Sequence, residues 1–228
     1  MKILIVSATE NEIQLLKKNF NKDVSGACIL KYTAIKDFVV DFLVTGIGSV
    51  LTTYNLLKAL SVRKYDVIIN VGIAGSFNHN LKIGETVFVQ TDQFADLGIE
   101  DRDELFTVFE KGFIPENQFP FKNALLKCTY ENDFGLKKAS AITVNTTHGS
   151  RRSIDLFKNK FKADIESMEG AAFFYVCLQE NISFFQIRTI SNYVEERNEA
   201  NWNIPLGIKN LTKELIRIID VVVDEKYK

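Results

Sequence analysis

Three apolar runs constrain the fold of this chain more than any other feature of its sequence. They are KILIVSA, DVIINVGIAGS and SFFQIRTISN, at residues 2–8, 66–76 and 183–192. Nearly continuous apolar runs that end in small or turn-forming residues are typical of strands buried inside a sheet. Stretches with helical spacing lie between them. The alternation predicts a three-layer α/β/α domain around a central β-sheet, of the α/β class.

Shorter signals place the remaining elements. Two β-rich runs, ACILKYTAI and DFVVDFLVTGIG, meet at Lys36 and Asp37. So short a connection predicts an antiparallel pair, which makes the central sheet mixed. Further strands are predicted at GETVFVQ and KASAITVN. Helices are predicted over residues 13–20, 49–62, 150–161, 168–179 and 204–223.

Residues 91–135 differ in character from the rest of the chain. They are polar and irregular and contain Pro115 and Pro120, so an excursion or a lid is expected there. With 228 residues, of which 46% are hydrophobic, the chain is long enough for one compact domain over residues 1–228.

Composition excludes several classes of function. The net charge is −1, so no basic excess indicates nucleic acid or anionic lipid as a partner. Two histidines are too few for a self-evident metal site, and we expect neither metal nor cofactor. The apolar run Ile3–Val6 is too short for a signal peptide, and no stretch reaches the length of a membrane span. The three scattered cysteines indicate reduced core thiols, and hence a cytoplasmic protein: Cys28, Cys128 and Cys177.

Two glycine-containing turns follow predicted strands. In TGIGSV, Gly46 and Gly48 allow backbone N–H groups to approach an anion or a sugar, although a plain tight turn is equally consistent with the motif. In VGIAGS, the small residues Ala74 and Gly75 leave room for a flat ligand at the end of a strand, although such a motif alone is more often a turn.

Four carboxylates lie near predicted helix starts. Glu10 and Glu12 follow the first strand, where acidic residues complement the helix dipole. Glu166 and Glu169 share a face if both are helical, and the small residues at 170–172 indicate a close approach of backbone or ligand. For both pairs, a purely structural role at the start of a helix is an alternative to a role in binding or catalysis.

The last buried run, IRTISN, contains two polar residues of interest. Arg188 lies within an apolar strand, where a guanidinium requires a fixed partner. Asn192 lies at the carboxyl end of that strand, where it either contacts a ligand or forms a turn.

The order of these motifs resembles that of the purine nucleosidase and phosphorylase superfamily, and within it the methylthioadenosine/S-adenosylhomocysteine nucleosidases. The resemblance rests on MKILIVSATENEI, TGIGSV, DVIINVGIAGS, ESMEGAAFFYVC and IRTISN. It spans most of the chain and weakens over residues 91–135. The runs SMEGAAFFYVCLQE and RTISNYVEERN, with the tryptophan that follows, are closer still to the futalosine hydrolases, which release hypoxanthine from futalosine on a route to menaquinone.

The resemblance implies a nucleoside phosphorylase-like fold and hydrolysis of a purine nucleoside by water. Glu12 matches the residue that activates water. Glu169 matches the carboxylate that holds the ribose hydroxyls, with Met168 beneath the sugar. Gly48, Ala74 and Gly75 match the glycine turns beside the ligand. Glu166 has no catalytic counterpart, because Ser167 separates it from the Glu–Met–Glu pattern of the relatives, and it is expected only at a helix start.

Hydrolysis is favoured over phosphorolysis. No arginine occurs before Arg63 to hold phosphate, and Glu10 and Glu12 would repel it. At an effective dielectric constant of about 20, like charges roughly 4 Å apart cost on the order of 4 kcal/mol.

Asn192 stands where the family has an aspartate that serves purine N7. An asparagine NH2 can donate to N7 or O6 and stabilise the departing base, but it cannot act as a general acid. This favours a 6-oxopurine such as hypoxanthine, although a flipped amide also pairs with adenine. Arg188 is expected to brace this strand end.

The resemblance leaves other parts of the site open. Arg197, Trp202 and Tyr193 are candidates for binding the aryl carboxylate tail of futalosine, and His148 for stacking on the purine or for a structural role. Relatives commonly dimerise and share pocket residues, which predicts a homodimer or larger homo-oligomer. The alternatives are a nucleosidase that releases adenine and a nucleoside-binding sensor without activity; the presence of both Glu12 and Glu169 weighs against the sensor.

Overall fold

The computed structural model describes residues 1–19, 29–34 and 38–226. Its strands are Lys2–Ser7 (β1), Ile29–Ala34 (β2), Phe38–Val44 (β3), Val67–Ser76 (β4), Thr86–Asp92 (β5), Gly98–Asp101 (β6), Glu104–Thr107 (β7), Leu126–Lys127 (β8), Lys137–Thr143 (β9), Ile165–Ser167 (β10) and Phe184–Tyr193 (β11). Its α-helices are Glu10–Asn19 (α1), Ser49–Val62 (α2), Arg151–Phe161 (α3), Gly170–Gln179 (α4) and Ile204–Lys226 (α5).

The main sheet is mixed, as predicted. Its strands follow the order β10-β9-β5-β11-β4-β1-β3-β2, with β8 beside β5. The expected antiparallel pair is formed by β2 and β3, with Ile29 opposite Leu43. Strand β10 also pairs with β4, so β4, β11, β5, β9 and β10 form a closed ring of pairings. This closure brings the carboxyl ends of several strands together around one space.

Helices cover both faces of the sheet because alternate strand residues point to opposite sides. In β1, Ile3 and Ile5 belong to a core shared with α1 and α5, while Leu4 and Val6 belong to a second core shared with α2 and α4. Both sets of side chains are at most 1% exposed. The prediction of an α/β/α arrangement is therefore confirmed.

Four phenylalanines of α4 and β11 are buried in the core. Phe173, Phe174, Phe184 and Phe185 are all 0% exposed. Cys177 is also buried and Cys128 half-buried, both as free thiols, while Cys28 lies outside the described residues.

Residues 91–135 form an excursion that contains the β6–β7 hairpin and the short strand β8. Phe109 and Phe121 of this segment pack edge to face and join the core beneath α4. Because these residues are anchored in the core, the segment is in large part structural. It contributes nothing to the lining of the cavity described below.

Two predicted helix starts are displaced. The helix expected to begin at Met168 begins at Gly170, with Glu169 as its N-cap residue. Glu166 therefore does not lie at a helix start, which corrects our expectation for it. It lies within β10, paired with β4 on one side and β9 on the other. The helix expected from Ile13 begins at Glu10, and Phe20 lies outside the described residues.

Candidate active site

A cavity of about 480 Å³ lies at the carboxyl ends of β1, β4, β10 and β11. Ten of the predicted site residues line it: Glu12, Ala74, Gly75, His148, Met168, Glu169, Asn192, Tyr193, Arg197 and Trp202. The other two, Gly48 and Arg188, are not among the lining residues, but each donates a hydrogen bond to Glu169. The residues predicted from the sequence therefore converge on one place.

Glu12 is held in the first turn of α1 with its carboxylate directed toward β4. Its Oε1 accepts the backbone N–H of Ile73 at 3.1 Å, and its Oε2 accepts the backbone N–H of Thr9 at 3.0 Å. The side chain is buried, and burial raises the pKa of the Glu12 carboxyl. The nearby charge of Arg188 opposes this shift in pKa, and the charge of Glu169 adds to it. Such a carboxylate is fixed in place and suited to accept a proton.

Glu10 has a different environment although it is only two residues away. Its side chain is exposed and forms an ion pair with Lys17 of the same helix. The structural interpretation of the acidic pair therefore holds for Glu10, while Glu12 faces the cavity.

Glu169 is fixed by contacts from two elements. Its Oε1 accepts the backbone N–H of Gly48 at 3.1 Å, and its Oε2 accepts from Nη2 of Arg188 at 3.5 Å. Gly48 has φ +97°, a conformation that glycine adopts without strain. The TGIGSV turn thus directs a backbone donor at a carboxylate side chain of the protein itself.

Arg188 lies beneath the cavity floor and is completely buried. Its Nε and Nη1 atoms have no hydrogen-bond partner among the described residues. Gly72 allows this arrangement, because a Cβ there would lie 2.0 Å from Arg188 Nη1 and 2.6 Å from Glu12 Oε1. The guanidinium therefore lies between the two cavity carboxylates, and its cost of burial is offset by their charge.

Asn192 has an amide whose orientation is set by its neighbours. Its Nδ2 donates to the carbonyl oxygen of Tyr193 at 3.0 Å, and its Oδ1 accepts from Ser191 Oγ at 2.7 Å. A carbonyl oxygen can only accept, so the atom facing it must be the NH2 group. A flipped amide would place two acceptors against each other at this position.

The cavity also contains a pair of residues that sequence reasoning did not assemble. Glu166 Oε2 lies against Nδ1 of His148, and Glu166 Oε1 accepts the backbone N–H of His148 at 3.2 Å. Both residues line the cavity. Ser167, which also lines it, has a buried Oγ with no partner among the described residues. The sequence contained one signal for this pair, the departure from the Glu–Met–Glu pattern of the relatives. The carboxylate lies one position earlier, at Glu166, and the hydroxyl of Ser167 stands in its place.

The three candidates for a substrate tail lie along one wall. The guanidinium of Arg197 lies 5.2 Å from the ring centroid of Trp202, and its Nη2 pairs with Glu199 at 3.1 Å. The backbone N–H of Arg197 donates to the carbonyl of Gly149, directly after His148. Tyr193 stacks on His79 with ring centroids 4.5 Å apart. All three residues line the cavity.

The residues of this cavity supply two kinds of chemistry. One side holds ionised or ionisable carboxylates with a buried guanidinium, which can accept protons and stabilise positive charge. The other holds an amide donor and an imidazole beside a side-chain-free strand end at Gly75, which suits the polar edges of a flat heterocycle.

In the described residues there is no cluster of potential metal ligands, and no helix has both the length and the apolar character needed to cross a membrane.

Fold and site together define a protein of the nucleoside phosphorylase type. The model of the phosphorylase superfamily matches residues 2–222, and the chain belongs to this superfamily.

Individual relatives carry two different names. A 5′-methylthioadenosine/S-adenosylhomocysteine nucleosidase of Bacillus licheniformis is 26% identical, covering 96% of this chain and 98% of the relative. A futalosine hydrolase of Thermus thermophilus is 25% identical, covering 83% and 85%. A similar solved structure is that of an aspartate-to-asparagine mutant of the Helicobacter pylori methylthioadenosine nucleosidase, with 5′-methylthioadenosine in its active site. It superposes with a TM-score of 0.79 at 18% sequence identity and covers 96% of this chain and 98% of that one.

These comparisons confirm the predicted fold and superfamily. They support an N-glycosidic hydrolase as the class of enzyme, because the curated relatives are nucleosidases and hydrolases. The two names among the relatives leave the base and the 5′ substituent to be inferred from the site itself.

Proposed function

We propose that this protein hydrolyses the N-glycosidic bond of a 6-oxopurine nucleoside, with futalosine as the substrate and hypoxanthine as the released base. The observation that carries the proposal is the Asn192 amide, whose NH2 faces the carbonyl of Tyr193 at 3.0 Å. An NH2 group has two donors, so one N–H is left for a ligand in the cavity. A donor at this position suits N7 or O6 of hypoxanthine and opposes the exocyclic amino group of adenine.

In the proposed mechanism, Glu12 removes a proton from water as the water attacks C1′ of the ribose. Breaking the C–N bond places positive charge on the sugar and negative charge on the base, so opposite groups are needed on the two sides. Glu12 and Glu169 provide negative charge on the sugar side. The Asn192 amide stabilises the departing base, and a water supplies the proton that an amide cannot.

Glu169 and its neighbours are proposed to hold the sugar. A carboxylate accepts hydrogen bonds from a pair of ribose hydroxyls, and charge assistance makes these contacts strong. Met168 provides an apolar surface beneath the ring, Ala74 and Gly75 lie beside the base, and Arg188 and Gly48 fix Glu169 from behind. Arg188 is thus proposed as a positioning residue.

Water, rather than phosphate, is proposed as the nucleophile. Two carboxylates, Glu12 and Glu169, face the sugar side of the cavity. The guanidinium of Arg188 lies beneath the floor, completely buried, where it is engaged by Glu169. A phosphate dianion would therefore meet negative charge at short range.

The tail of futalosine is proposed to lie along the wall formed by Arg197, Trp202 and Tyr193. Two of these are aromatic, and Arg197 is the cation that an aryl carboxylate would need. Arg197 would exchange its ion pair with the exposed Glu199 for the carboxylate of the substrate. The place of this enzyme in menaquinone synthesis belongs to the same proposal.

A second candidate is a methylthioadenosine/S-adenosylhomocysteine nucleosidase. It is favoured by the extent of the match, since the relative of that name from Bacillus licheniformis covers 96% of this chain. The geometry of Asn192 weighs against it, because release of adenine would be served by a group that both donates to N7 and accepts from the amino group.

The test is to incubate the protein with futalosine, inosine and methylthioadenosine, each with and without phosphate, and to identify the base released. Hypoxanthine from futalosine at a rate independent of phosphate is the expected result. Adenine from methylthioadenosine, at a higher kcat/KM than hypoxanthine from futalosine, would establish the second candidate instead. Binding of nucleosides without any turnover would indicate a sensor.

A further inference from the structure

The buried pair formed by Glu166 and His148 is not used by the mechanism above. The side chains are only 4% and 8% exposed, and each lines the cavity. Glu166 contacts His148 twice, at the backbone N–H and at the Nδ1 atom of the ring. The ring also packs on Phe157 of α3, with centroids 3.9 Å apart. His148 is therefore fixed in both position and orientation.

The contact with Glu166 determines which ring nitrogen carries the proton. An ionised carboxylate can only accept hydrogen bonds, so Nδ1 must be the donor. In the neutral ring the other nitrogen, Nε2, is then an acceptor without hydrogen. Among the described residues, none hydrogen-bonds to Nε2. With a neutral ring, His148 thus offers the cavity an acceptor that has no partner among the described residues.

The strand register places this pair opposite Asn192. Gly75 of β4 is paired with Glu166 of β10 on one side and with Asn192 of β11 on the other. Neighbouring strands are about 4.8 Å apart, so the two flanking positions are separated by roughly 10 Å. A Cβ at Gly75 would lie 2.9 Å from Val194 Cγ2 and 3.3 Å from Asn192 Nδ2, so the absence of a side chain there makes room for the Asn192 amide. Glu166, His148 and Asn192 all line the cavity, so a flat ring system bound in it can meet a polar group at each of two edges.

We propose that His148, oriented by Glu166, reads the N1 position of the purine and thereby selects 6-oxopurines over 6-aminopurines. This inference rests on the proposed function and assigns a specificity residue to it. Hypoxanthine carries a hydrogen on N1 and donates it to Nε2 of His148, while Asn192 donates to the O6 or N7 side. Adenine has no hydrogen on N1, so its lone pair would face the lone pair of Nε2.

The decisive variant is Glu166→Gln, which keeps the size of the side chain. A glutamine NH2 donates to Nδ1, which moves the ring hydrogen to Nε2 and turns Nε2 into a donor. A donor at Nε2 pairs with N1 of adenine and opposes N1–H of hypoxanthine. The selectivity of the enzyme should therefore shift toward the 6-amino substrate, a change that loss of structure alone would not produce.

The measurement is kcat/KM for futalosine and for its 6-amino analogue, in the wild-type protein, in Glu166→Gln, and in Glu180→Gln as a control at an exposed position outside the cavity. We expect the 6-oxo to 6-amino ratio to fall roughly ten- to a hundredfold in Glu166→Gln, the scale of one unpaired buried polar group. The ratio should be unchanged in Glu180→Gln. Thermal unfolding checks that each variant is folded.

A second measurement needs no variant. Hypoxanthine and 1-deazahypoxanthine, which has C–H in place of N1–H, are compared as inhibitors or, if no nucleoside is turned over, as ligands in calorimetry. We expect the deaza base to bind the wild-type protein at least roughly tenfold more weakly. Equal affinity of the two bases, or an unchanged substrate ratio in folded Glu166→Gln, overturns the role of His148 alone. A wild-type preference for the 6-amino nucleoside overturns both this role and the proposed function.

Discussion

At the level of single residues, Glu12 and Glu10 provide a matched pair for testing the general base. Glu12 accepts two backbone hydrogen bonds and faces the cavity, whereas Glu10 is exposed and bound to Lys17. Glu12→Gln should lower kcat by at least about a hundredfold, the scale of losing a general base. Glu10→Gln should leave kcat within about twofold, since surface charges away from a site matter little. Similar losses in both variants would show that helix stability, and not proton transfer, is affected.

The environment of Glu12 also predicts the pH dependence of the reaction. A base must be ionised to act, and burial raises the pKa of Glu12 above its ordinary value. The value of kcat/KM should therefore fall as the pH drops through this raised pKa, at a higher pH than for an exposed glutamate.

The negative charge of Glu169 contributes to that raised pKa, so its removal has a predictable sign. Glu169→Gln should move the acid limb of kcat/KM to lower pH, in addition to weakening substrate binding. Profiles of kcat/KM against pH for the two proteins make the comparison. A limb that stays in place, or moves to higher pH, would assign the titration to another group.

At the level of elements, the sequence predicted most strands and helices because burial and periodicity are local signals. The runs around Ile3–Val6 and Val67–Ser76 lie in the sheet because they contain few polar residues. The start of α4 was misplaced for a physical reason. Residues 165–167 pair with β9, and Ile165 and Glu166 also pair with β4, so this long-range pairing keeps Glu166 in a strand and the helix begins only after it.

The candidate site also contains residues that local sequence signals predict and residues that they do not. Glu12, Glu169 and Asn192 could be predicted to lie at the cavity because each lies near the end of a strand or the start of a helix within a recognisable motif. The pair formed by Glu166 and His148 could not, because it joins two segments 18 residues apart through the closure of β10 onto β4. Nothing in the local sequence of either residue specifies its partner.

The junction of β5, β9 and α4 contains a buried carboxyl group that predicts how stability depends on pH. Asp92, at the end of β5, is 0% exposed and accepts from Thr143 Oγ1 at 2.8 Å. Thr143 Oγ1 in turn accepts the backbone N–H of Ala171 in the first turn of α4. Burial raises the pKa of Asp92 to about 7 from an ordinary value of 3.8.

In the folded protein Asp92 thus retains its proton up to about pH 7, whereas in the unfolded chain it ionises near pH 4. Its contribution to stability is complete below pH 4 and is lost as the pH rises through about 7. Each unit of pKa difference corresponds to about 1.4 kcal/mol. The wild-type free energy of unfolding should therefore decline between pH 5 and pH 8 because of this residue.

The variant Asp92→Asn removes this titration and keeps the shape of the side chain. Asp92 Oδ2 accepts from Gln186 Nε2 at 3.4 Å, so an NH2 group in its place requires the Gln186 amide to turn and present its Oε1, which has no partner among the described residues. Urea unfolding at pH 5 and pH 8 should show the variant gaining roughly 2 kcal/mol or more over the wild type at the higher pH. A difference between the two proteins that is the same at both pH values would contradict the raised pKa.

At the level of the whole molecule, an apolar stripe on α2 is left exposed. Val50, Tyr54 and Leu57 follow one another at helical spacing, and Val50 and Tyr54 are 77% and 63% exposed. Ile47, just before the helix, is also exposed and lines the cavity. The stripe therefore continues to the mouth of the site.

The excursion at residues 91–135 is connected to the start of α2 by hydrogen bonds through Asn145. Asp96 accepts the backbone N–H of Asn145, and Asn145 Oδ1 accepts the backbone N–H of Ser49 at the start of α2. Leu97, the residue after Asp96, is also exposed. Exposed apolar patches of this kind are typical of association surfaces, and identical chains most often associate through a two-fold interface. We therefore propose a homodimer whose interface includes α2 and borders the cavity.

The double variant Val50→Glu/Tyr54→Glu tests this assembly. In a dimer built on α2 it would bury charges without partners, at a cost of several kcal/mol per ion, so the variant should be monomeric. The control is Lys209→Glu/Lys213→Glu, which places glutamates at the same spacing on an exposed face of α5 and should leave the mass unchanged. Light scattering coupled to size-exclusion chromatography measures the mass of each protein. Because Ile47 borders both the stripe and the cavity, the monomer should also have a higher KM. A wild-type protein that is monomeric at micromolar concentration, or a double variant with the wild-type dimeric mass, would exclude this interface.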